Sequence, residues 1–215
     1  MPRRSYDQYC AAARALDAVG DRWTLLIVRE LLAGPRRYTD LHADLPGVST
    51  DVLASRLKDM EREGIATRRR LPPPAPASVY ELTPRGTALL PVLTALADWG
   101  TPAMGERRPT DALRAHWFAV PLARHLAGLG PRVVEVRMDE GVFHVRTDGG
   151  EPLYGDGPAE RPDARLTLDA DTCVAIGGGG LSLDHAVREG RARLETVSHG
   201  APREAPAGAG AQGPE

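Results

Sequence analysis

The side chains with the clearest chemistry in this 215-residue sequence lie on one face of a predicted helix from Ser49 to Glu63. Leu53, Leu57 and Met60 recur at helical spacing and predict the buried face of this helix. The opposite face then carries Asp51, Ser55, Lys58 and Arg62, and Thr50 and Arg56 flank it. The candidate DNA contacts of this helix are Ser49, Thr50, Asp51, Ser55, Arg56 and Lys58. Side chains in the first turns of such a helix reach base edges, and its free N–H groups attract a phosphate oxygen. The alternative is a solvated face in an unrelated helical protein.

A second set of candidate DNA contacts consists of arginines outside this helix. Arg36 and Arg37 stand at the start of a shorter predicted helix, where phosphate contacts are common. Arg68 and Arg70 alternate along a predicted strand, so they share a face that can meet the DNA backbone or the minor groove. The alternative for this strand is a charged edge that prevents aggregation. We expect Thr50, Asp51 and Ser55 to determine sequence choice and the other candidates to determine affinity.

The elements that must position these residues follow one another in a fixed order. An apolar helix over residues 23–32 ends at Gly34-Pro35, a second helix covers about residues 38–43, and Ser49 caps the third. Gly64 ends the third helix, and two strands follow on either side of a proline-rich tip at residues 72–76. This order predicts a winged helix-turn-helix, a module that inserts one helix into a major groove.

Composition narrows the classes of protein to which the chain can belong. The sequence has no apolar run of 18 residues and no signal peptide, so we expect a cytoplasmic protein with no membrane partner. Two cysteines, Cys10 and Cys173, do not make a disulfide scaffold. The histidines are scattered, without metal-ligand spacing or a paired nucleophile, so we expect no metal, no cofactor and no enzymatic activity. Residues 1–108 hold 16 basic and 13 acidic side chains, which makes the predicted DNA-binding half the more positive one.

The pattern changes after residue 110, and this change predicts two domains in an α+β chain. We expect a winged-helix domain over residues 1–106, a second α/β domain over residues 110–198 and a disordered tail at 199–215. A long apolar helix is predicted from Thr83 to Trp99, and its excess of apolar surface favours a dimer interface over a simple core helix. The second domain should contain a helix over residues 111–129, alternating strands and two capped helices.

The first half closely resembles the HxlR family of bacterial winged-helix regulators. The resemblance covers about residues 9–100 and rests on Cys10, Ala15-Leu16-Asp17, the run 20–27, the runs 34–38 and 45–49, the run 79–83 and residues 96–100. It implies a homodimeric, DNA-binding transcription factor, usually a repressor, which would read a palindromic operator. The wing departs from the family because its tip has lost the usual basic residue.

The resemblance also draws attention to Cys10, which matches the position of a thiol sensor in some family members. Arg14, one helical turn further on, would favour the reactive thiolate. The alternative is a small buried residue in the first helix.

The second half resembles the small sterol-carrier-protein fold. The resemblance rests on the strand pair at 133–146 and the segments 162–169 and 181–191. It implies an apolar cavity for a small hydrophobic ligand; the alternative is a dimerisation or effector platform with a filled core. The sequence therefore favours a DNA-binding regulator controlled by a hydrophobic ligand or by thiol oxidation. The rival hypothesis is a ligand carrier or protein-interaction module that uses its winged helix only to dimerise.

Overall fold

The computed structural model of the chain describes residues 5–72, 77–149 and 153–198. The predicted disordered tail at 199–215 and most of the wing tip lie outside the described residues. The sequence also predicts a short strand over residues 151–154, of which residues 151–152 lie outside them. We call residues 5–106 the N-terminal half and residues 110–198 the C-terminal half. None of the helices within these ranges has the length and apolar character needed to cross a membrane.

The N-terminal half has the predicted winged-helix order of elements. Its helices and strands are α1 (Ala11–Val19), α2 (Thr24–Leu31), β1 (Arg36–Arg37), α3 (Tyr38–Asp44), α4 (Thr50–Arg62), β2 (Ala66–Arg70), β3 (Ser78–Leu82), α5 (Pro84–Thr87) and α6 (Leu90–Gly100). Leu53, Leu57 and Met60 of α4 are almost fully buried, as their spacing predicts. The α4 helix therefore turns its polar face away from the core.

The wing is a three-stranded sheet rather than the predicted two-stranded hairpin. Its strand order is β1-β3-β2, and both outer strands run antiparallel to β3. The additional strand is β1, in which Arg36 and Arg37 pair with Tyr80 and Val79. Two residues that pair with a segment more than forty positions away leave no alternating pattern in the sequence, so this strand was not predicted.

Two predicted helices are shorter than expected because each contains a proline. The helix predicted over residues 83–99 is divided into α5 and α6. Pro91 lies in the first turn of α6 and has no N–H to continue the preceding helix. The helix predicted over residues 111–129 is instead a 3₁₀ turn (Ala115–Phe118) followed by α7 (Ala119–Ala127), and Pro121 has the same effect there.

The C-terminal half contains a five-stranded mixed sheet covered by helices. Its further elements are β4 (Val133–Met138), β5 (Gly141–Arg146), β6 (Tyr154–Asp156), β7 (Ala164–Leu168), α8 (Ala170–Gly177), α9 (Leu183–Arg188) and β8 (Ala192–Thr196). The strand order is β6-β5-β4-β7-β8, with β4 and β7 parallel. Leu122, Leu126, Phe143 and Ile176 are fully buried between the sheet and α7 and α8. These four side chains belong to the hydrophobic core of this half.

Candidate nucleic-acid interface

The outer face of α4 presents most of the predicted DNA contacts to solvent. Thr50, Asp51, Ser55 and Lys58 are exposed, as is Ser49 directly before the helix. The hydroxyl of Ser49 accepts a hydrogen bond from the backbone N–H of Val52 at 3.3 Å, which confirms the predicted helix cap. The C-terminal half does not cover this face, so a duplex can approach it.

Tyr38 positions the start of α4 and was missed by the sequence analysis. Its hydroxyl donates a hydrogen bond of 2.8 Å to the carbonyl of Thr50, the first residue of α4. Its ring stacks on that of His42, one turn further along α3. The tyrosine thus ties α3 to the end of α4 that carries the predicted base contacts. The only feature of the sequence that could have indicated this role is an aromatic residue directly after Arg36-Arg37.

Arg56 lies beside this face but is not free. Its guanidinium forms an ion pair of 2.7 Å with Asp59 and approaches Asp21 at 3.7 Å. Asp21 also accepts hydrogen bonds from the backbone N–H groups of Trp23 and Thr24 at the start of α2. Arg56 therefore braces α4 against α2, a role that the sequence analysis did not anticipate.

The three arginines of β2, Arg68, Arg69 and Arg70, differ in their surroundings, as the alternation of side chains along a strand predicts. Arg69 pairs with Glu81 of the neighbouring strand at 3.0 Å. Arg68 and Arg70 are exposed and form no ion pair with any residue that the structure describes. Their positive charge is therefore available to a phosphate group.

The two arginines of β1 point to different surroundings. Arg37 is exposed, whereas the Arg36 side chain is only 15% exposed and lies 3.5 Å from Asp156 of the C-terminal half. Although β1 belongs to the wing, the Arg36 side chain is therefore largely withdrawn from the exposed surface formed by α4 and the other two wing strands. Its nearest charged partner belongs to β6, which the sequence could not indicate.

Glu30 forms the centre of a buried junction between the two halves, which we call the Glu30 cluster (Glu30, Arg29, His116, Trp117 and Tyr154). The fully buried carboxylate accepts hydrogen bonds from the His116 ring at 2.7 Å, the Trp117 indole at 3.0 Å and Arg29 at 2.8 Å. The Tyr154 hydroxyl donates to the Arg29 carbonyl at 2.7 Å. Burial raises the pKa of Glu30, but its bonds to His116 and Arg29 outweigh burial and hold that pKa below its ordinary value. The only sequence signal was one acidic residue inside an apolar helix.

This junction also brings together three groups that can ligate a metal ion, although the sequence shows no metal-ligand spacing. Ligand atoms of Glu30, Asp44 and His116 lie within 4.8 Å of one another. Arg29 pairs with Glu30 and Arg114 lies 3.5 Å from Asp44, so both carboxylates already have a cationic partner. A divalent ion would add buried positive charge without compensation. We therefore assign these residues to the junction rather than to a metal site.

Cys10 and Cys173 have opposite environments. Cys10 is exposed directly before α1, and the backbone N–H groups of Ala13 and Ala12 hold the pKa of its thiol below the ordinary value. Cys173 is fully buried, and burial raises the pKa of its thiol to about 12. Only Cys10 thus combines access with thiolate character, and Cys173 is a packing residue of the core.

Comparison with known proteins bears on the N-terminal half. The model of the HxlR-like helix-turn-helix family matches residues 18–108. The uncharacterized HTH-type transcriptional regulator YvaP of Bacillus subtilis is 40% identical over 88 residues, which are 41% of this chain and 82% of YvaP. The HTH-type transcriptional regulator YodB of the same organism is 36% identical over 85 residues, which are 40% of this chain and 76% of YodB.

The solved structure of the reduced form of the transcriptional regulator YodB is also similar. It has a TM-score of 0.41 at 31% identity, and the match covers 47% of this chain and 100% of that chain. The relatives confirm the prediction of a helix-turn-helix transcriptional regulator. The family match ends at residue 108 and does not extend to the five-stranded sheet. Through its N-terminal half, the chain belongs to the HxlR-like helix-turn-helix family.

Proposed function

We propose that the protein represses transcription as a homodimer that binds a palindromic operator, with α4 of each protomer in a major groove. The observation that carries this proposal is the open polar face of α4 beside the exposed Arg68 and Arg70 of the wing. Thr50, Asp51 and Ser55 read base edges, while Arg37, Lys58 and the wing arginines bind phosphates. Arg36 and Arg56 position the elements around this surface and do not bind DNA, because each already forms an ion pair with an acidic side chain.

The homodimer is supported by an apolar face on α6. Val92, Leu96 and Trp99 recur at helical spacing and are 46%, 46% and 82% exposed. Leu93 is the one residue of α6 that is buried. An exposed apolar stripe of this kind marks an interaction surface, and a second copy of the helix offers a matching stripe. Trp99→Glu should convert the dimer to a monomer in size-exclusion chromatography with light scattering, whereas the same change at Val187, an exposed apolar residue of α9, should not.

The test of DNA recognition uses one added negative charge at two exposed positions. Ser55→Glu places a carboxylate on the proposed base-reading face, and Thr110→Glu adds the same charge in the segment between the halves. On an operator selected from a random DNA library, Ser55→Glu should weaken binding by at least about tenfold, because a wrong contact to a base edge costs about 1–3 kcal/mol. Thr110→Glu should bind like the parent protein. If both variants bind the operator equally well, or if the random library yields no bound DNA, the proposal is contradicted.

Control by thiol oxidation is a second part of the proposal, and it rests on the exposure and lowered pKa of Cys10. Cys10→Ser should leave operator binding intact but abolish its release by diamide. Cys173→Ala serves as the matched control and should keep the response to diamide. Release that survives Cys10→Ser would exclude Cys10 as the sensor.

For the C-terminal half we propose a packed platform within a two-domain division at residues 106–110. The buried apolar side chains between the sheet and α7 and α8 support this choice. An open groove of about 420 Å³ lies outside that core, beside α9, and is lined by Leu183, Val187 and Leu194. A small hydrophobic ligand, if the protein takes one, would bind in this groove. The sterol-carrier resemblance remains a prediction about this half.

A further inference from the structure

The C-terminal half is attached to the N-terminal half in two separate regions, and the ion pairs Arg36–Asp156 and Arg114–Asp44 belong to the first of them. The first attachment is the Glu30 cluster, which fixes His116, Trp117 and Tyr154 to α2. The second, which we call the Arg124 clamp (Arg124, Asp98 and Gly177), joins α7 and α8 to α6. There Arg124 pairs with Asp98 at 2.5 Å and donates to the Gly177 carbonyl at 2.7 Å. One compact unit thus contacts both the DNA-binding helices and the proposed dimerisation helix.

A direct link between these two parts of the N-terminal half is weak. Two residues outside regular helix, Ala88 and Leu89, separate α5 from α6, and among the described elements of the N-terminal half α6 makes no extensive contact other than with the 3₁₀ turn that follows it. Only Leu93 of α6 is buried, and α6 packs against α7 of the C-terminal half. The direction of α6 relative to α4 therefore depends on a second support.

We infer that the C-terminal half is a brace that sets the angle between α4 and α6, and thereby the spacing of the two recognition helices in the dimer. This inference rests on the proposed homodimeric DNA binding. The two attachments hold the brace at both ends, and Glu30 and Arg124 are its positioning residues. A protein braced in this way should accept one half-site spacing and reject neighbouring spacings, because each added base pair rotates and shifts one half-site.

The end of α8 supplies a sharp probe of the second attachment. A Cβ atom on Gly178 would lie 2.5 Å from the Thr101 methyl group, in the segment directly after α6. Gly128 ends α7 with nearly the same backbone conformation, and a Cβ atom there meets nothing within 4 Å. Gly178→Ala therefore wedges the brace away from α6, and Gly128→Ala makes the same chemical change without a contact.

The experiment measures the affinity of full-length protein, by fluorescence anisotropy, for operators with zero, one or two base pairs added between the half-sites. The parent protein and Gly128→Ala should lose at least about thirtyfold in affinity over the series. Gly178→Ala should lose less than about fivefold over the same series. Trp117→Phe removes one hydrogen-bond donor of the Glu30 cluster together with part of the ring that packs on Arg29, and it should also weaken the spacing preference.

The outcomes separate the brace from the proposed function. If folded, dimeric Gly178→Ala and Trp117→Phe proteins keep the spacing preference of the parent, the brace is wrong although DNA binding stands. An equal loss of affinity at every spacing also contradicts the brace. Such a loss would show that the substitution weakens DNA binding without changing the spacing of the recognition helices. If the parent protein binds no DNA, the proposed function itself fails.

Discussion

The salt dependence of operator binding tests the placement of individual arginines. Among the predicted DNA contacts of each protomer, four cationic side chains are exposed and form no ion pair with the residues that the structure describes: Arg37, Lys58, Arg68 and Arg70. Arg36 and Arg56 are excluded because Asp156 and Asp59 already neutralise them. A dimer then offers about eight cations to phosphates, and each one releases a counterion from DNA on binding.

The expected magnitude follows from this count. The logarithm of the binding constant should fall with the logarithm of the salt concentration with a slope of about −7, since each phosphate contact contributes about −0.9. Between 50 and 200 mM salt the affinity should therefore fall roughly 10⁴-fold. If Arg36 and Arg56 also met phosphates, the slope would be close to about −11. Anisotropy titrations at four or five salt concentrations distinguish these values.

Arg36 and Arg37 form a matched pair for this assay, because they are adjacent residues of one type in β1. Arg37→Ala should reduce the steepness of the slope by about 2 for the dimer, whereas Arg36→Ala should leave it unchanged. Circular dichroism checks that both variants are folded. An equal change of slope in the two variants would refute the assignment of Arg36 to the junction.

Three further predictions concern stability. Ser49→Ala removes the cap of α4 and should lower the free energy of unfolding by about 1 kcal/mol in urea titrations; no change would mean that the cap is not formed. Gly86→Ala would place a Cβ atom 2.1 Å from the Ile65 carbonyl oxygen, so it should lower that free energy by roughly 1–3 kcal/mol, and a stable variant would contradict this contact. Although burial raises the pKa of Glu30, its hydrogen bond from His116 holds that pKa low. Its stabilisation is therefore present above the unfolded-state pKa of about 4.3 and lost as the pH falls through the folded-state pKa. Glu30→Gln should flatten the acid side of the stability profile, and an unchanged profile would contradict this.

The parts of the fold that the sequence predicted are those fixed by local interactions. The α4 helix lies within one residue of the predicted bounds, because a serine cap begins it, a glycine ends it and Leu53, Leu57 and Met60 define its buried face. The hairpin strands, β4, β5 and β7 were also predicted, since alternation of apolar and polar residues specifies a strand with one buried face. The division of the long helix was readable from Pro91 but was missed.

The parts that were not predicted depend on partners distant in the sequence. Arg36 has the residue type and position of a phosphate contact, and only the folded chain brings Asp156 beside it. The Glu30 carboxylate and the His116 ring are 86 positions apart, so no spacing rule connects them. The ion pair of Arg56 with Asp59 is local, three residues apart in α4, and was readable from the sequence, whereas the approach of Arg56 to Asp21 was not.

The α2 helix connects these findings, because its two ends serve different surfaces. At its start, Asp21 holds the first N–H groups of the helix and also approaches Arg56 of α4 at 3.7 Å. At its other end, Glu30 receives the hydrogen bonds of the C-terminal half. The helix spans eight residues, which corresponds to about 12 Å, and Ile27 and Val28 between its ends are fully buried. Since a close-packed interior transmits strain, we expect a shift of the C-terminal half at Glu30 to reach Asp21 before the start of α2 and, through Arg56, the middle of the recognition helix.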